Sequence, residues 1–155
     1  MLAYGEHPDH VANLHLPGGD GPFPVVVLVH GGFWRYGWDR TLMTPLARDL
    51  ALRGIAAWNI EYRRVGQEGG GWPGTFLDVS AAVDHLATVD SVDASRAVVV
   101  GHSAGGHLAS LAALTPGDDR FEGELEAGSN TSVDAAVSIY GRYDWRDRST
   151  PERDG

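Results

Sequence analysis

The chain has 155 residues, of which 43% are hydrophobic and 21% charged, a balance typical of a single globular domain. Its 12 basic and 21 acidic residues give a formal charge of -9, which argues against a nucleic-acid partner or an anionic membrane surface. No cysteine is present, so disulfides, thiolate metal sites and a cysteine nucleophile are excluded.

The amino terminus and the apolar runs predict where the protein is found. The segment MLAYGEHPDH has neither a basic cluster nor a following apolar core, so we expect no signal peptide. No apolar run approaches the roughly 18 residues that a membrane-spanning helix needs. The sequence therefore predicts a cytoplasmic protein without a membrane span, and it leaves the oligomeric state open.

The first strong element is the apolar run PVVVLV at residues 24–29, which ends in the loop HGGFW at residues 30–34. The run predicts a strand that is buried on both faces. Glycines allow such a loop to present backbone N–H groups without obstruction by side chains. The loop is therefore suited to stabilise negative charge that develops on a substrate oxygen.

A helix, a strand and a loop are predicted next. The helix covers residues 44–53, with Thr44 as its cap, Pro45 at its first helical position and Gly54 after its end. The strand covers residues 56–63, and a glycine-rich loop follows over residues 66–74.

A second helix is predicted over residues 74–89, because apolar residues recur there at helical spacing. Asp78 and Asp84 lie away from this apolar stripe. The stripe consists of Phe76, Val79, Val83 and Leu86.

The most informative motif is the pentapeptide GHSAG at residues 101–105, which joins the apolar run at residues 97–100 to a predicted helix at residues 103–114. A strand, a serine between glycines and a helix together describe a nucleophile elbow. Ser103 is therefore the candidate covalent catalyst. Gly101 and Gly105 meet the requirement for small residues where the strand and the helix approach each other.

Strands and helices alternate along the chain, which predicts an α/β fold with a mostly parallel sheet and helices on both faces. A last strand is expected at residues 133–140, after a loop at residues 115–132 that has no clear periodicity. Ligands of such sheets bind at the carboxyl ends of the strands. The HGGFW loop and the elbow are thus expected to meet in one cleft.

HGGFW and GHSAGG together resemble the motifs of the α/β-hydrolase superfamily, specifically its esterase, lipase and arylformamidase-like members. The resemblance extends over most of the chain, from a ribbon-like start at residues 11–16 to the strand near residues 133–140. It implies that Ser103 is the nucleophile and that no cofactor is needed. It also implies oxyanion donors at the backbone N–H groups of Gly32, Phe33 and Ala104, with Gly31 shaping the loop.

Other residues near the motifs have less specific readings. His30 and His102 are expected to pack against the loops or hydrogen-bond to them. Trp34 is either the wall of a pocket or a buried anchor for its loop. Arg63 and Arg64 are expected to face solvent or to pair with carboxylates. No metal site is expected, because the histidine spacings match no ligand pattern, and four histidines are assigned to the surface or to sheet edges: His7, His10, His15 and His85.

The base and acid that activate a serine have no counterpart in these residues. In the resembled family they follow the serine in the order acid, then histidine, but no histidine occurs here after His107. His107 lies one helical turn beyond Ser103, yet an elbow should project the serine hydroxyl away from that helix. Asp144 is expected to have a loop or turn role. We therefore expect residues 1–155 to be the N-terminal portion of a single α/β-hydrolase domain, truncated after the strand near residues 133–140.

The predicted function is hydrolysis of a small carboxylic ester with a short or aromatic acyl group, through an acyl-enzyme on Ser103. Hydrolysis of an arylformamide is the alternative within the same class, because HGGFW resembles the loops of both groups. An alternative of another class is a catalytically incomplete fragment or a binding module that has kept the fold.

Overall fold

The computed structural model describes residues 1–115 and 133–143, which form a six-stranded sheet with helices on both faces. Asp144 and residues 116–132 of the expected loop lie outside the described residues. The strands are β1 (Leu2–Ala3), β2 (Val11–His15), β3 (Phe23–Val29), β4 (Ala56–Ile60), β5 (Val92–His102) and β6 (Ala135–Ile139). The α-helices are α1 (Thr44–Leu52), α2 (Gly74–Asp84) and α3 (Ala104–Leu114), and two 3-10 helices cover Arg40–Met43 and His85–Thr88.

The sheet is mostly parallel, as predicted, with the strand order β1-β2-β4-β3-β5-β6. The pairs β3/β4, β3/β5 and β5/β6 are parallel, whereas β1/β2 and β2/β4 are antiparallel. The chain places β4 on one side of β3 and β5 on the other. The strand order therefore reverses at β3, which is where ligands of open α/β sheets bind.

Alternate residues of β3 pack on opposite faces of the sheet, which explains its unbroken apolar run. Val25, Val27 and Val29 join the larger core, which includes Phe76 of α2 and Leu108 of α3. Val26 and Leu28 join a smaller core with Met43 and with Ala47 of α1. The sheet is thus covered by α1 on one face and by α2 and α3 on the other.

The helix that begins at Thr44 differs at its start from the predicted helix. Thr44 is its first residue and Pro45 lies in its first turn, so Thr44 is not the cap. The 3-10 helix Arg40–Met43 precedes it directly, and the side chain of Asp39 accepts a hydrogen bond from the Thr41 N–H at 2.8 Å. Asp39 therefore caps the combined helical segment.

The apolar stripe of the second helix is confirmed, because all four of its residues are buried. Asp78 lies off the stripe but is only 2% exposed. Its carboxylate accepts hydrogen bonds from the Arg63 backbone at 2.8 Å and from the Arg63 guanidinium at 2.6 Å. The Asp78 carboxylate also lies 2.9 Å from His10 Nε2. The His10 side chain is only 17% exposed, so His10 is mostly buried, whereas the sequence predicted it at the surface or a sheet edge. Arg63 is paired with a carboxylate, one of the two predicted outcomes.

Among the described residues, no helix is both long enough and apolar enough to cross a lipid bilayer.

Candidate active site

The two predicted motifs lie side by side at the carboxyl edge of the sheet. In the register of β3 and β5, Val29 is opposite Gly101, so the loops that follow these strands leave the sheet together. A Cβ added to Gly31 would lie 2.7 Å from the His102 carbonyl oxygen and 3.1 Å from Ser103 Cβ. The expectation that the motifs meet in one cleft is therefore confirmed, and the approach leaves no room for a side chain at Gly31.

Ser103 occupies a tight bend between β5 and α3, with φ 54° and ψ -116°. Its N–H donates to the Ile139 carbonyl at 2.8 Å, and its carbonyl accepts from the Gly106 N–H at 2.9 Å. A positive φ at a residue other than glycine costs about 1–3 kcal/mol and persists only where the surroundings fix it. Those contacts to β6 and α3 are what fix this bend.

The glycines of the elbow allow the close packing that this bend requires. A Cβ on Gly101 would lie closer than 3.0 Å to the backbone of Gly105, and a Cβ on Gly105 would lie 2.5 Å from the His30 carbonyl oxygen. Ala104 begins α3 and is buried. Because the first N–H groups of a helix have no carbonyl of their own helix to bind, the Ala104 N–H at this end has no acceptor within α3.

The HGGFW loop is tightly bent, because Gly32, Phe33 and Trp34 all have positive φ, at 123°, 55° and 58°. Its end is tied to the segment after β4 by a hydrogen bond from the Val65 N–H to the Trp34 carbonyl at 2.7 Å. A Cβ on Gly32 would collide with Trp38. Glycine is thus required at Gly32 by both its conformation and its neighbour.

Ser103 and the loop line one cleft of about 450 Å³. The two motifs contribute Gly31, Gly32, Phe33, His102 and Ser103 to its lining. The rest of its lining in the described chain is apolar: Trp38, Leu42, Met43, Leu46 and Ile139. The sequence did not single out these five residues, four of which precede or begin α1, because no local pattern reveals which helix packs beside a loop.

Trp34 and His107 line a second, smaller cavity of about 200 Å³, together with Trp72 and Phe76 of the α2 region. The rings of Trp34 and His107 meet edge to face with centroids 5.6 Å apart. Burial lowers the pKa of the His107 imidazole. Within the described part of the chain, Trp34 thus packs beside the core and does not border the Ser103 cleft.

His30 is completely buried beneath the loop. Its Nδ1 lies 2.7 Å from the Gly31 carbonyl oxygen, and its Nε2 lies 2.8 Å from Glu61 Oε1. The ring stacks on Tyr62 with centroids 4.3 Å apart, and the Tyr62 hydroxyl donates to the His30 carbonyl at 2.8 Å. His30 therefore joins the loop to the residues that follow β4.

Glu61 was not recognised from the sequence as part of the site. Burial raises the pKa of its carboxyl, but the hydrogen bond and charge of His30, the Arg40 backbone N–H and the charge of Arg64 outweigh burial and lower that pKa overall. The signal that could have found it is a charged residue directly after the buried strand β4, at the edge where HGGFW begins. Arg64 lies 3.3 Å from Glu61 and is thus paired with a carboxylate, as predicted.

Comparisons with known proteins agree with this geometry. The family model BD-FAE matches residues 13–153. The chain is 45% identical to Esterase LipC of Mycobacterium tuberculosis over 85% of its own length and 33% of that protein. It is 37% identical to the probable carboxylic ester hydrolase LipM of the same organism, over 93% of the chain and 34% of that protein. The chain thus spans about a third of the length of these curated relatives.

Solved structures show the same fold. Esterase B from Lactobacillus rhamnosis, inhibited by a tributyrin phosphonate, superimposes with a TM-score of 0.74 at 29% identity, over 87% of this chain and 45% of that one. A bifunctional GH43-CE protein of Bacteroides eggerthii gives a TM-score of 0.75 at 27% identity, over 90% of this chain and 20% of that one. The chain therefore belongs to the BD-FAE family, and its fold is that of the esterase-like α/β-hydrolases.

Proposed function

We propose that this chain carries the nucleophile and the oxyanion donors of a serine esterase. Ser103 Oγ attacks the carbonyl carbon of a carboxylic ester, and the N–H groups of Ala104, Gly32 and Phe33 stabilise the negative oxygen of the tetrahedral intermediate. Collapse of the intermediate releases the alcohol, and water then hydrolyses the acyl-enzyme. The esterase names of the relatives support this reaction class.

The observation that carries the proposal is the strained Ser103 bend against the glycine loop within one cleft. Backbone strain of this kind is maintained where a reactive side chain must be presented. The apolar wall formed by Trp38, Leu42 and Met43 suits a short or aromatic acyl group. An arylformamide offers a similar aromatic group, so it remains the second candidate substrate.

Activation of Ser103 also requires a general base, and His107 does not meet the geometric requirement. His107 borders the neighbouring cavity instead of the cleft, and its lowered pKa comes from burial. We propose that the base and its orienting carboxylate come from residues of the natural protein outside positions 1–155. The relatives, which are about three times as long as the aligned region, have room for such residues.

Labelling by a fluorophosphonate in the full natural protein tests the nucleophile. We expect wild-type protein to be labelled and Ser103→Ala to be unlabelled, because the probe reacts only with an activated serine. Ser110→Ala is the matched control: Ser110 lies on the same helix and hydrogen-bonds the Gly106 carbonyl at 3.0 Å, away from the cleft lining. Labelling that persists in Ser103→Ala, or disappears in Ser110→Ala alone, would contradict the proposal.

The wild-type protein and the 155-residue chain distinguish the alternative substrates and the alternative of a binding module. Hydrolysis of a phenyl ester in competition with an arylformamide measures kcat/KM for each, and we expect the ester to be preferred. The 155-residue chain alone should react with the probe at least about a thousandfold more slowly than the full protein if the base lies elsewhere. Equal rates would show that these residues contain their own base, and a lack of reaction in both would favour a binding module.

A further inference from the structure

With Glu61 ionised, as its lowered pKa favours, both contacts of the His30 ring are hydrogen bonds when both ring nitrogens carry a proton. Nδ1 lies 2.7 Å from the Gly31 carbonyl oxygen, which can only accept a hydrogen bond. Nε2 lies 2.8 Å from Glu61 Oε1, and an ionised carboxylate can likewise only accept. A neutral imidazole has a single N–H, so it would leave one of these contacts as two facing lone pairs.

The charges around the pair balance when His30 is an imidazolium. Glu61 faces Arg40 at 3.5 Å and Arg64 at 3.3 Å, and Arg64 is in turn 3.3 Å from Asp9. Asp39 also interacts electrostatically with both His30 and Arg40. Three carboxylates thus face two guanidinium groups and His30. In the part of the chain that the structure describes, two tyrosines also lie against this pair: Tyr62 stacks on the ring, and the Tyr4 hydroxyl donates to the Glu61 backbone carbonyl.

The Gly31 carbonyl belongs to the same peptide unit as the Gly32 N–H. The cis peptide bonds of the described residues precede Pro22 and Pro73, so this unit is trans. In a trans unit the C=O and the N–H point in opposite directions. Since the carbonyl is held toward the buried His30, the Gly32 N–H is directed away from His30. Both Gly31 and Gly32 line the cleft.

We propose that Glu61 is a positioning residue: it keeps His30 doubly protonated, and the charged His30 holds the Gly31–Gly32 peptide so that the Gly32 N–H faces Ser103. This inference rests on the proposed function for its catalytic consequence, though not for the protonation of His30. Hydrogen bonds from a charged donor are roughly twice as strong as neutral ones. The charged donor therefore adds to the restraint on the orientation of this peptide.

Nuclear magnetic resonance of the full natural protein, labelled with 15N-histidine, tests the protonation directly. We expect a pair of protonated ring nitrogens at pH 7.5 that is absent from His30→Phe and becomes a single protonated nitrogen in Glu61→Gln. A neutral His30 in the wild-type protein would overturn the proposal. This measurement needs no hydrolytic activity, so its result stands whether or not the protein is an esterase.

Ester hydrolysis by Glu61→Gln tests the consequence. We expect kcat to fall roughly tenfold at pH 8 with KM nearly unchanged, because an oxyanion donor acts mainly in the transition state. The ratio of variant to wild-type kcat should rise as the pH falls to 5.5, since acid restores the proton on His30. Tyr62→Phe, which removes only the hydroxyl bonded to the His30 carbonyl, should show a ratio that does not change with pH. A flat ratio in Glu61→Gln would overturn the positioning role even if Ser103 is the nucleophile.

Discussion

Replacement of Asp78 tests whether a buried charge contributes more to the stability of the fold than an exposed charge does. Asp78 is 2% exposed and joins α2 to two distant segments. One carboxylate oxygen accepts from the Arg63 N–H, and the guanidinium bonds to both oxygens at distances down to 2.6 Å. Asp78→Asn keeps the shape of the side chain while it removes the charge and replaces one acceptor by a donor.

The expected loss of stability follows from these contacts. Breaking a buried ion pair by removing one partner costs about 3–5 kcal/mol, because the other charge is left without compensation. The Arg63 side chain is 21% exposed, so water can replace part of the lost interaction. We therefore expect Asp78→Asn to lower the free energy of unfolding by about 2–4 kcal/mol.

Urea denaturation of the protein, followed by tryptophan fluorescence, measures this loss as a shift of the midpoint at constant m-value. Asp49→Asn is the matched control, because Asp49 forms an ion pair of similar length with Arg53, 2.7 Å, but is 53% exposed. The control should leave the midpoint unchanged within error. An Asp78→Asn midpoint equal to that of the control would refute the claim that this buried pair stabilises the fold.

Two further predictions concern the packing and the pH dependence of the site. Gly105→Ala should lower the free energy of unfolding by about 1–3 kcal/mol, because the added Cβ would lie 2.5 Å from the His30 carbonyl oxygen. Gly18→Ala is the control: the space around its Cβ is open, so the urea midpoint should not change. Because burial lowers the pKa of His107, the unfolded chain binds its proton more readily, and this residue's contribution to stability is lost as the pH falls below about 6.5. Urea midpoints at pH 7.5 and 5.5 should therefore differ less in His107→Gln than in wild type; an equal difference would remove His107 from the pH dependence.

The parts of the fold that the sequence predicts well are those specified by local patterns. The apolar run before His30, the helical stripe of α2 and the strand-serine-helix pattern around Ser103 all correspond to observed elements. β1 was missed because two residues carry no periodicity. β5 begins earlier than predicted, at Val92, because Asp93 to Arg96 form an irregular polar stretch where the register with β3 shifts.

Contacts between distant segments account for what the sequence did not reveal. Asp78 looked like an ordinary polar position of a helix, and only the fold brings Arg63 and His10 against it. Glu61 similarly lies 31 positions from its partner His30. In both cases the burial of the carboxylate depends on a partner that no local spacing specifies. Buried charges of this kind are compatible with a stable fold only because they are paired.

The strained residues of the described chain also gather at one edge of the sheet. Phe33, Trp34, Ser103 and Tyr140 are its residues other than glycine with positive φ, and they follow β3, β5 and β6. These three strands are parallel neighbours, and the Ser103 N–H is bonded to Ile139 at the end of β6. Each such conformation costs about 1–3 kcal/mol and persists only where the surrounding structure fixes it, so the ends of three adjacent strands are held in place at this edge. The bend after β6 therefore lies at the same edge of the sheet as the elbow, and its shape should change when the hydrogen bond to Ser103 is lost.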